Sequence, residues 1–190
     1  MPRKNRQVEN ALITMGQALK EARLKRNMTQ QFVAIRTGLS VGSVQHLESG
    51  NSGSSLKAFC SYLLILGLDQ CIISNIEAEY PQIFFQAEIV KHIFGADKAS
   101  AFCDKICCML LVIRKKSHLS RAIICDRIGM PLGTLRNIEA GKGGSSLYNF
   151  FSYCFSLNML DVISRSIAPE NDQIGNMYLS SLRKRARISP

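Results

Sequence analysis

The sequence predicts an all-α fold in which two copies of one five-helix unit are joined by an apolar helix. Three observations lead to this fold class. Of the 190 residues, 46% are hydrophobic, which is enough to form a packed core. The apolar residues recur at helical spacing, and the alternating pattern of a half-buried strand is absent from the sequence. The chain also resembles itself when it is shifted by 91 residues.

The internal repeat determines the predicted architecture. Residues 23–68 align without a gap on residues 114–159, and 15 of the 46 positions are identical. The segment 46–50 falls on 137–141, and 53–56 falls on 144–147. A period of this length is too long for a solenoid, so it indicates two tandem copies of one small domain. The predicted parts are a basic N-terminal arm (1–9), domain 1 (10–76), a connecting helix (77–98), domain 2 (99–168) and a basic C-terminal tail (169–190).

The first copy contains the start and stop residues of five short helices. Thr29, Ser40 and either Ser54 or Ser55 are suitable N-caps, because their side-chain oxygens can accept hydrogen bonds from the first free N–H groups of a helix. Gly38 and Gly67 can adopt the left-handed conformation that ends one. The predicted helices run from Val8 to Arg26, Gln30 to Thr37, Val41 to Glu48, Leu56 to Leu66, and Asp69 to about Ile76.

The second and third of these helices have the features of a helix-turn-helix. Two helices joined by a three- or four-residue turn that begins with glycine define this DNA-binding motif. Ala34 must be small because the next helix crosses close by. Val44 and Leu47 are expected to point inward, which leaves the opposite face of the third helix free to enter a DNA groove.

These residues resemble a known family. The segment that begins Met28-Thr29-Gln30 and continues through Gly38-Leu39-Ser40 to Glu48 and Gly50 is similar to the phage-repressor (Xre/Cro-type) helix-turn-helix family. The similarity covers roughly residues 10–75, and a weaker one covers roughly 101–165, where Cys125 replaces the alanine and Pro131 the serine. The resemblance implies two tandem five-helix, lambda-repressor-like helix-turn-helix domains.

The resemblance also implies a role for individual residues. The residue that opens the second helix, Gln30 or Arg121, would donate to a DNA phosphate. The start and middle of the third helix would read bases in the major groove. A repeated Arg/Glu pair would form an internal salt bridge that supports the third helix. The base-reading positions are Ser40, Val41, Gly42, Ser43, Gln45 and His46 in copy one and Pro131, Leu132, Gly133, Thr134, Arg136 and Asn137 in copy two; the salt-bridge residues are Arg23, Glu48, Arg114 and Glu139.

Two positions in the third helices lack the side chain that a base contact needs. Gly42 and Gly133 stand where many relatives have a polar side chain, so DNA shape and backbone contacts could carry more of the specificity. The sequence leaves open that either copy is a packing module without DNA contacts. Copy one is expected to be the better reader, and copy two to supply more phosphate charge and more protein–protein surface.

Composition restricts the partners. Lys and Arg total 24 against 14 Asp and Glu, a net charge of +10 that favours a polyanion such as double-stranded DNA. The longest apolar run has eight residues, Ile106 to Ile113, so no membrane partner is expected. The seven cysteines lack metal-ligand spacing and are expected to be reduced, which fits a cytoplasmic protein that is nucleoid-associated when bound to DNA. No metal, cofactor or enzymatic activity is expected.

Two apolar segments predict further interfaces. The segment from Pro81 to Gly95 is predicted to be a helix with apolar residues over more than half of its circumference, buried between the copies or against a second chain. The first helix of copy two, around Ile106–Ile113, is apolar on all sides, which either a packed core or a homodimer would explain. The basic run Arg183–Arg187 is either a solvated terminus or a phosphate-binding arm.

These observations favour one function and leave an alternative. The favoured function is a sequence-specific, repressor-like transcription regulator of a phage, plasmid or mobile element, acting as a homodimer. The alternative is an antitoxin or antiactivator that uses the same scaffold to bind a protein partner.

Overall fold

The computed structural model describes residues 5–81 and 97–188, with side chains described as far as residue 181. Within these ranges the chain is all-helical, without strands, and the all-α prediction is confirmed there. The predictions for residues 1–4, for most of the connecting helix (82–96) and for the side chains of Arg183–Arg187 lie outside the described residues. The helices are α1 (Arg6–Lys25), α2 (Gln30–Thr37), α3 (Val41–Glu48), α4 (Leu56–Leu66), α5 (Asp69–Glu79), α6 (Lys98–Lys116), α7 (Arg121–Ile128), α8 (Leu132–Glu139), α9 (Leu147–Ser156), α10 (Leu160–Ser166) and α11 (Gln173–Ile188).

Local capping explains the bounds of the first helices. Thr29, Ser40 and Ser55 each accept a hydrogen bond from the backbone N–H three residues later. Gly38 and Gly67 end α2 and α4 with φ of 70° and 68°. These three helices have the predicted bounds. Helix α1 begins at Arg6, four residues before the predicted start of domain 1, so most of the described part of the predicted N-terminal arm is helical. Helix α5 ends at Glu79 and therefore continues into the segment predicted as the connecting helix.

The helices α1–α5 (the first set) and α6–α10 (the second set) have the same local backbone. The residues with positive φ, a conformation that few residue types adopt, show this agreement. All eight such residues in the described ranges fall into four pairs that are 91 positions apart. The pairs are Asn27/His118, Gly38/Gly129, Gly50/Gly141 and Gly67/Asn158.

The two sets share one hydrophobic core. Helix α6 packs on α4 and on α8, and α1 packs on α9 and on α3. Nine of the nineteen residues of α6 are buried, including Phe102, Ile106 and Leu110, and its apolar residues Cys108, Leu111 and Val112 are half-buried. The apolar circumference of α6, which the sequence explained equally by a packed core or by a homodimer, is therefore covered within the chain.

A short backbone contact also joins the two sets. Ser55 and Ser146 form an isolated antiparallel β-bridge. The N–H of Leu56 donates to the carbonyl of Ser145 at 2.8 Å, and the N–H of Leu147 donates to the carbonyl of Ser54 at 2.7 Å. Both sets are therefore joined where the loops after α3 and α8 meet.

Most of the region predicted as a basic C-terminal tail is helical. After a 3-10 turn at Pro169–Asn171, α11 packs against α1. Asp172 is buried and accepts two hydrogen bonds from the guanidinium of Arg26, both at 2.7 Å. It also accepts from the N–H of Gly175 at 2.9 Å. Because a buried carboxylate needs such partners, this ion pair fixes the start of α11 on the first set.

No single helix among the described residues is long and apolar enough to span a membrane. Helices α4 and α5 reach the length and composition of a membrane span only when taken together, and they meet at a bend of 103°.

The fit between the two sets predicts a specific sensitivity at Gly143. A Cβ atom at Gly143 would lie 2.7 Å from the Cβ atom of Lys57 in the first set, whereas one at Gly144 meets nothing within 4 Å. We expect Gly143→Ala to lower the free energy of unfolding by about 1–3 kcal/mol, because the two sets must move apart. Gly144→Ala is the matched control, and we expect a change within about 0.5 kcal/mol. Chemical denaturation measures both, and equal stability of the two variants would contradict the described fit.

Candidate nucleic-acid interface

Helix α3 presents a polar face to solvent. Val44, Leu47 and Glu48 are buried, which leaves Gln45 and His46 exposed on the opposite side. The predicted inward and outward faces of α3 thus agree with the observed burial. Among the remaining predicted base readers, Ser40 and Gly42 are exposed, and Val41 and Ser43 are half-buried.

Two of these side chains also stabilise α3 itself. The hydroxyl of Ser40 accepts from the N–H of Ser43 at 3.0 Å and lies 2.8 Å from the Ser43 hydroxyl. Ser40 therefore fixes the start of α3, while Gln45 and His46 extend from its middle.

Helix α8 has the same orientation with different chemistry. Leu135, Ile138 and Glu139 are buried, and Arg136 and Asn137 are exposed. Pro131 precedes α8 without a side-chain cap, and the side chain of Thr134 is half-buried. Leu132 is 42% exposed, and a Cβ atom at Gly133 would meet nothing within 4 Å. This end of α8 is therefore more apolar and more open than the start of α3.

A buried glutamate supports α3 from below. The guanidinium of Arg23 donates to both oxygens of Glu48, at 2.6 and 3.0 Å. The Tyr62 hydroxyl donates to Oε1 of Glu48 at 2.5 Å, and Nε2 of Gln30 donates to Oε2 at 2.8 Å. Helices α1, α2 and α4 thereby meet α3 at one carboxylate.

The second set repeats this arrangement. Arg114 donates to Glu139 at 2.5 and 3.4 Å, and Tyr153 donates to it at 2.9 Å. Arg121 takes the position of Gln30, and its Nε donates to Oε2 of Glu139 at 2.5 Å. In this set two cations therefore share one buried carboxylate.

The surroundings of both glutamates keep them ionised. Burial alone would raise the pKa of Glu48, but hydrogen bonds from Arg23, Tyr62 and Gln30 hold that pKa below its usual value. Burial likewise opposes ionisation of Glu139, and its three donors lower the pKa of that carboxyl. Burial and the adjacent carboxylate also raise the pKa of Tyr62, so the phenol stays protonated and remains a donor.

The predicted phosphate donors lie at the edge of this network. The side chain of Arg121 is 41% exposed, so the guanidinium that contacts Glu139 also reaches the surface. Gln30 is half-buried and accepts a hydrogen bond from Nε2 of Gln45 at 3.4 Å. The structure thus links a predicted phosphate donor to a predicted base reader in the first set.

Sequence reasoning missed two parts of the site. Tyr62 and Tyr153 matched in the repeat, but that match alone does not show that both hydroxyls reach the glutamates. The arginines also donate through Nη1 to the carbonyls of Met28, at 2.8 Å, and Leu119, at 2.7 Å. These contacts attach the turn between the first two helices of each set to the same charge network.

The described residues contain no group of three or more His, Cys, Asp or Glu side chains that could hold a metal ion. The seven cysteines are free thiols, four of them buried.

The chain matches one known family over part of its length. A family model described as Helix-turn-helix matches residues 19–69, which span the last seven residues of α1, all of α2, α3 and α4, and the first residue of α5. Residues 19–69 therefore form a helix-turn-helix domain, and this match indicates a DNA-binding transcription regulator. No curated protein and no solved structure matches the chain.

The buried glutamates predict a change in stability rather than in base preference. We expect Glu48→Ala or Glu139→Ala to cost about 3–5 kcal/mol of unfolding free energy, because each leaves a buried arginine without its partner. Thermal melting and selection of DNA sequences by each variant measure the two effects. Ser74→Ala, at an exposed position of α5, is the control. A variant that melts like the parent protein but selects different DNA would contradict a supporting role.

The lowered pKa values predict a loss of stability in acid. A carboxylate whose pKa is lower in the folded than in the unfolded state stabilises the fold above the unfolded value, about 4.3 for glutamate. That contribution disappears as the pH falls through the folded pKa. We therefore expect the unfolding free energy to decline below about pH 4.3. The Glu48→Gln, Glu139→Gln double variant should show a shallower decline in denaturation series, and an unchanged slope would exclude both residues as its cause.

Proposed function

We propose that the chain is a sequence-specific, repressor-like transcription regulator that reads DNA major grooves with both α3 and α8. The second set is then a second helix-turn-helix domain. We further propose that it acts in the cytoplasm, at the nucleoid when bound to DNA, without catalysing a reaction. We also propose that the protein comes from a phage, plasmid or mobile element, because residues 28–50 resemble phage repressors.

One observation carries the extension to the second set. Glu139 occupies the same four-helix network as Glu48, with an arginine from the first helix, a donor from the second and a tyrosine from the fourth. The same support leaves the same face of α8 exposed. Arg136 and Asn137 lie in solvent at the positions equivalent to Gln45 and His46.

The exposed side chains suit different bases. Gln45 and Asn137 have the paired donor and acceptor that match adenine, and Arg136 has the paired donors that match guanine. Leu132, at the start of α8, offers an apolar surface to a thymine methyl group. The two helices are therefore expected to prefer different base pairs.

The alternative is a protein-binding role, as in an antitoxin or antiactivator. Phe32 and Ile35 on the outer face of α2 favour it, because they are 45% and 71% exposed. Salt-dependent retention on DNA or heparin supports the proposed function. Purification with one stoichiometric protein and without affinity for DNA supports the alternative.

Paired substitutions test which helix reads sequence. We expect Gln45→Ala with His46→Ala to relax preference at one block of the bound site, and Arg136→Ala with Asn137→Ala at another. Each lost base contact should cost about 1–3 kcal/mol. Binding to a set of single-base variants of the selected duplex measures this. A pair that changes neither affinity nor preference would show that its helix does not read DNA.

The phosphate donors should behave differently. We expect Gln30→Ala and Arg121→Gln to weaken binding to all duplexes alike, since phosphates carry no sequence information. Arg121→Gln introduces the residue found at position 30. It should also reduce the slope of log K against log salt concentration by about one. Ser74→Ala again serves as the control. A change of base preference in either variant would contradict a phosphate contact.

A further inference from the structure

Two contacts between the sets join residues that occupy equivalent positions. Ser55 and Ser146, which are 91 residues apart, form the β-bridge. Asn75 and Ser166, also 91 residues apart, are joined by a hydrogen bond of 3.0 Å from Nδ2 to Oγ. In a two-fold arrangement, equivalent residues meet each other only on the axis. These two contacts therefore place an internal two-fold axis through the Ser55/Ser146 pair at one end and the Asn75/Ser166 pair at the other.

Contacts away from the axis occur in matching pairs. The N–H of Asn5, the N-cap of α1, donates to the Tyr148 hydroxyl at 2.7 Å. Asp97, the N-cap of α6, accepts an ion pair from Lys57 at 2.9 Å. Lys57 and Tyr148 are again 91 residues apart. Each first helix thus begins against the same position of the other set, as the internal axis requires.

The interface along this axis is a buried core. The Phe59 and Phe151 rings, one from each set, meet edge to face with centroids 5.7 Å apart. Both side chains belong to a single cluster of buried residues that includes both sets. Such packing holds the sets in one relative orientation.

The axis also locates α3 and α8. Helix α3 ends at Glu48 and α8 ends at Glu139, each seven residues before the serine that lies on the axis. Seven residues span at most about 25 Å, so both helices end near the bridge end of the axis. Because each helix can end up to that distance from the axis, α3 and α8 can lie about 34 Å apart, which is one turn of DNA.

We propose that a single chain binds a bipartite DNA site whose two halves are inverted and unlike, without a second copy of the protein. The internal axis makes the halves inverted, and the difference between Gln45-His46 and Arg136-Asn137 makes them unlike. This inference rests on the proposed function and replaces the expected homodimer. The apolar α6, which partly motivated that expectation, is covered by α4 of the same chain.

Selection from a random duplex library with the full chain tests the proposal. We expect two unlike, inverted blocks whose centres are about 10 base pairs apart. Sedimentation of the complex should give one chain per duplex. A palindromic consensus, or two chains per duplex, would overturn the single-chain site while leaving the proposed function in place. Failure to bind any duplex would overturn the proposed function as well.

The spacing between the blocks gives a second measurement. A pair of domains held rigidly by a shared core cannot follow half-sites that move apart. We therefore expect insertion of either 5 or 10 base pairs between the blocks to reduce affinity by at least about tenfold, close to that of a duplex with one block scrambled. Two domains on a flexible tether would tolerate the 10-base-pair insertion, because it restores the same face of the DNA. Retained affinity for that duplex would overturn the proposal.

Discussion

The arrangement of the helices in each set depends on one buried carboxylate. Glu48 in the first set and Glu139 in the second are both almost inaccessible to solvent. A charge in such a place destabilises the fold unless donors surround it, and here the donors come from the other three helices of the motif. The positions of α3 and α8 therefore depend on hydrogen bonds to the last residue of each helix. Val44 and Leu47 add apolar packing along the same face, but apolar contacts alone would permit small rotations of α3.

Much of this site could be predicted from the sequence, because the residues that build it have strict local requirements. Thr29 and Gly38 give the bounds of α2 from capping alone, and the recurrence of the Arg/Glu pair indicated an internal ion pair rather than surface charges. The hydroxyl of Tyr62 could not be assigned in this way, since a tyrosine at helical spacing is equally suited to a purely apolar core. The ion pair of Arg26 with Asp172 could not be predicted from the sequence either. Its partners are 146 residues apart, and no repeat or motif connects them.

The docking of the two sets could not be predicted for a related reason. An apolar helix such as α6 must be buried, but its composition does not say by what. Burial within the chain and burial in a homodimer leave the same pattern of side chains. The distinction depends on shape, for example on Gly143, whose missing Cβ atom lets the first set approach at Lys57. Close approach of this kind is decided by three-dimensional packing, and a single sequence contains glycines for several other reasons.

The comparison of the two sets separates what the fold requires from what a DNA site would require. Positions that are identical in both sets include the buried glutamate, its arginine and its tyrosine, whose side chains bond to one another. The serine on the axis is also identical, and its hydroxyl caps the helix that follows it in each set. The exposed middles of α3 and α8 have no such contacts to maintain, and there the sets differ. Gln45 and His46 face solvent where the second set has Arg136 and Asn137. Exposed positions without contacts inside the fold can carry any polar side chain, and these four are different hydrogen-bonding groups. Under the proposed function, this difference is what would let the two helices prefer unlike half-sites.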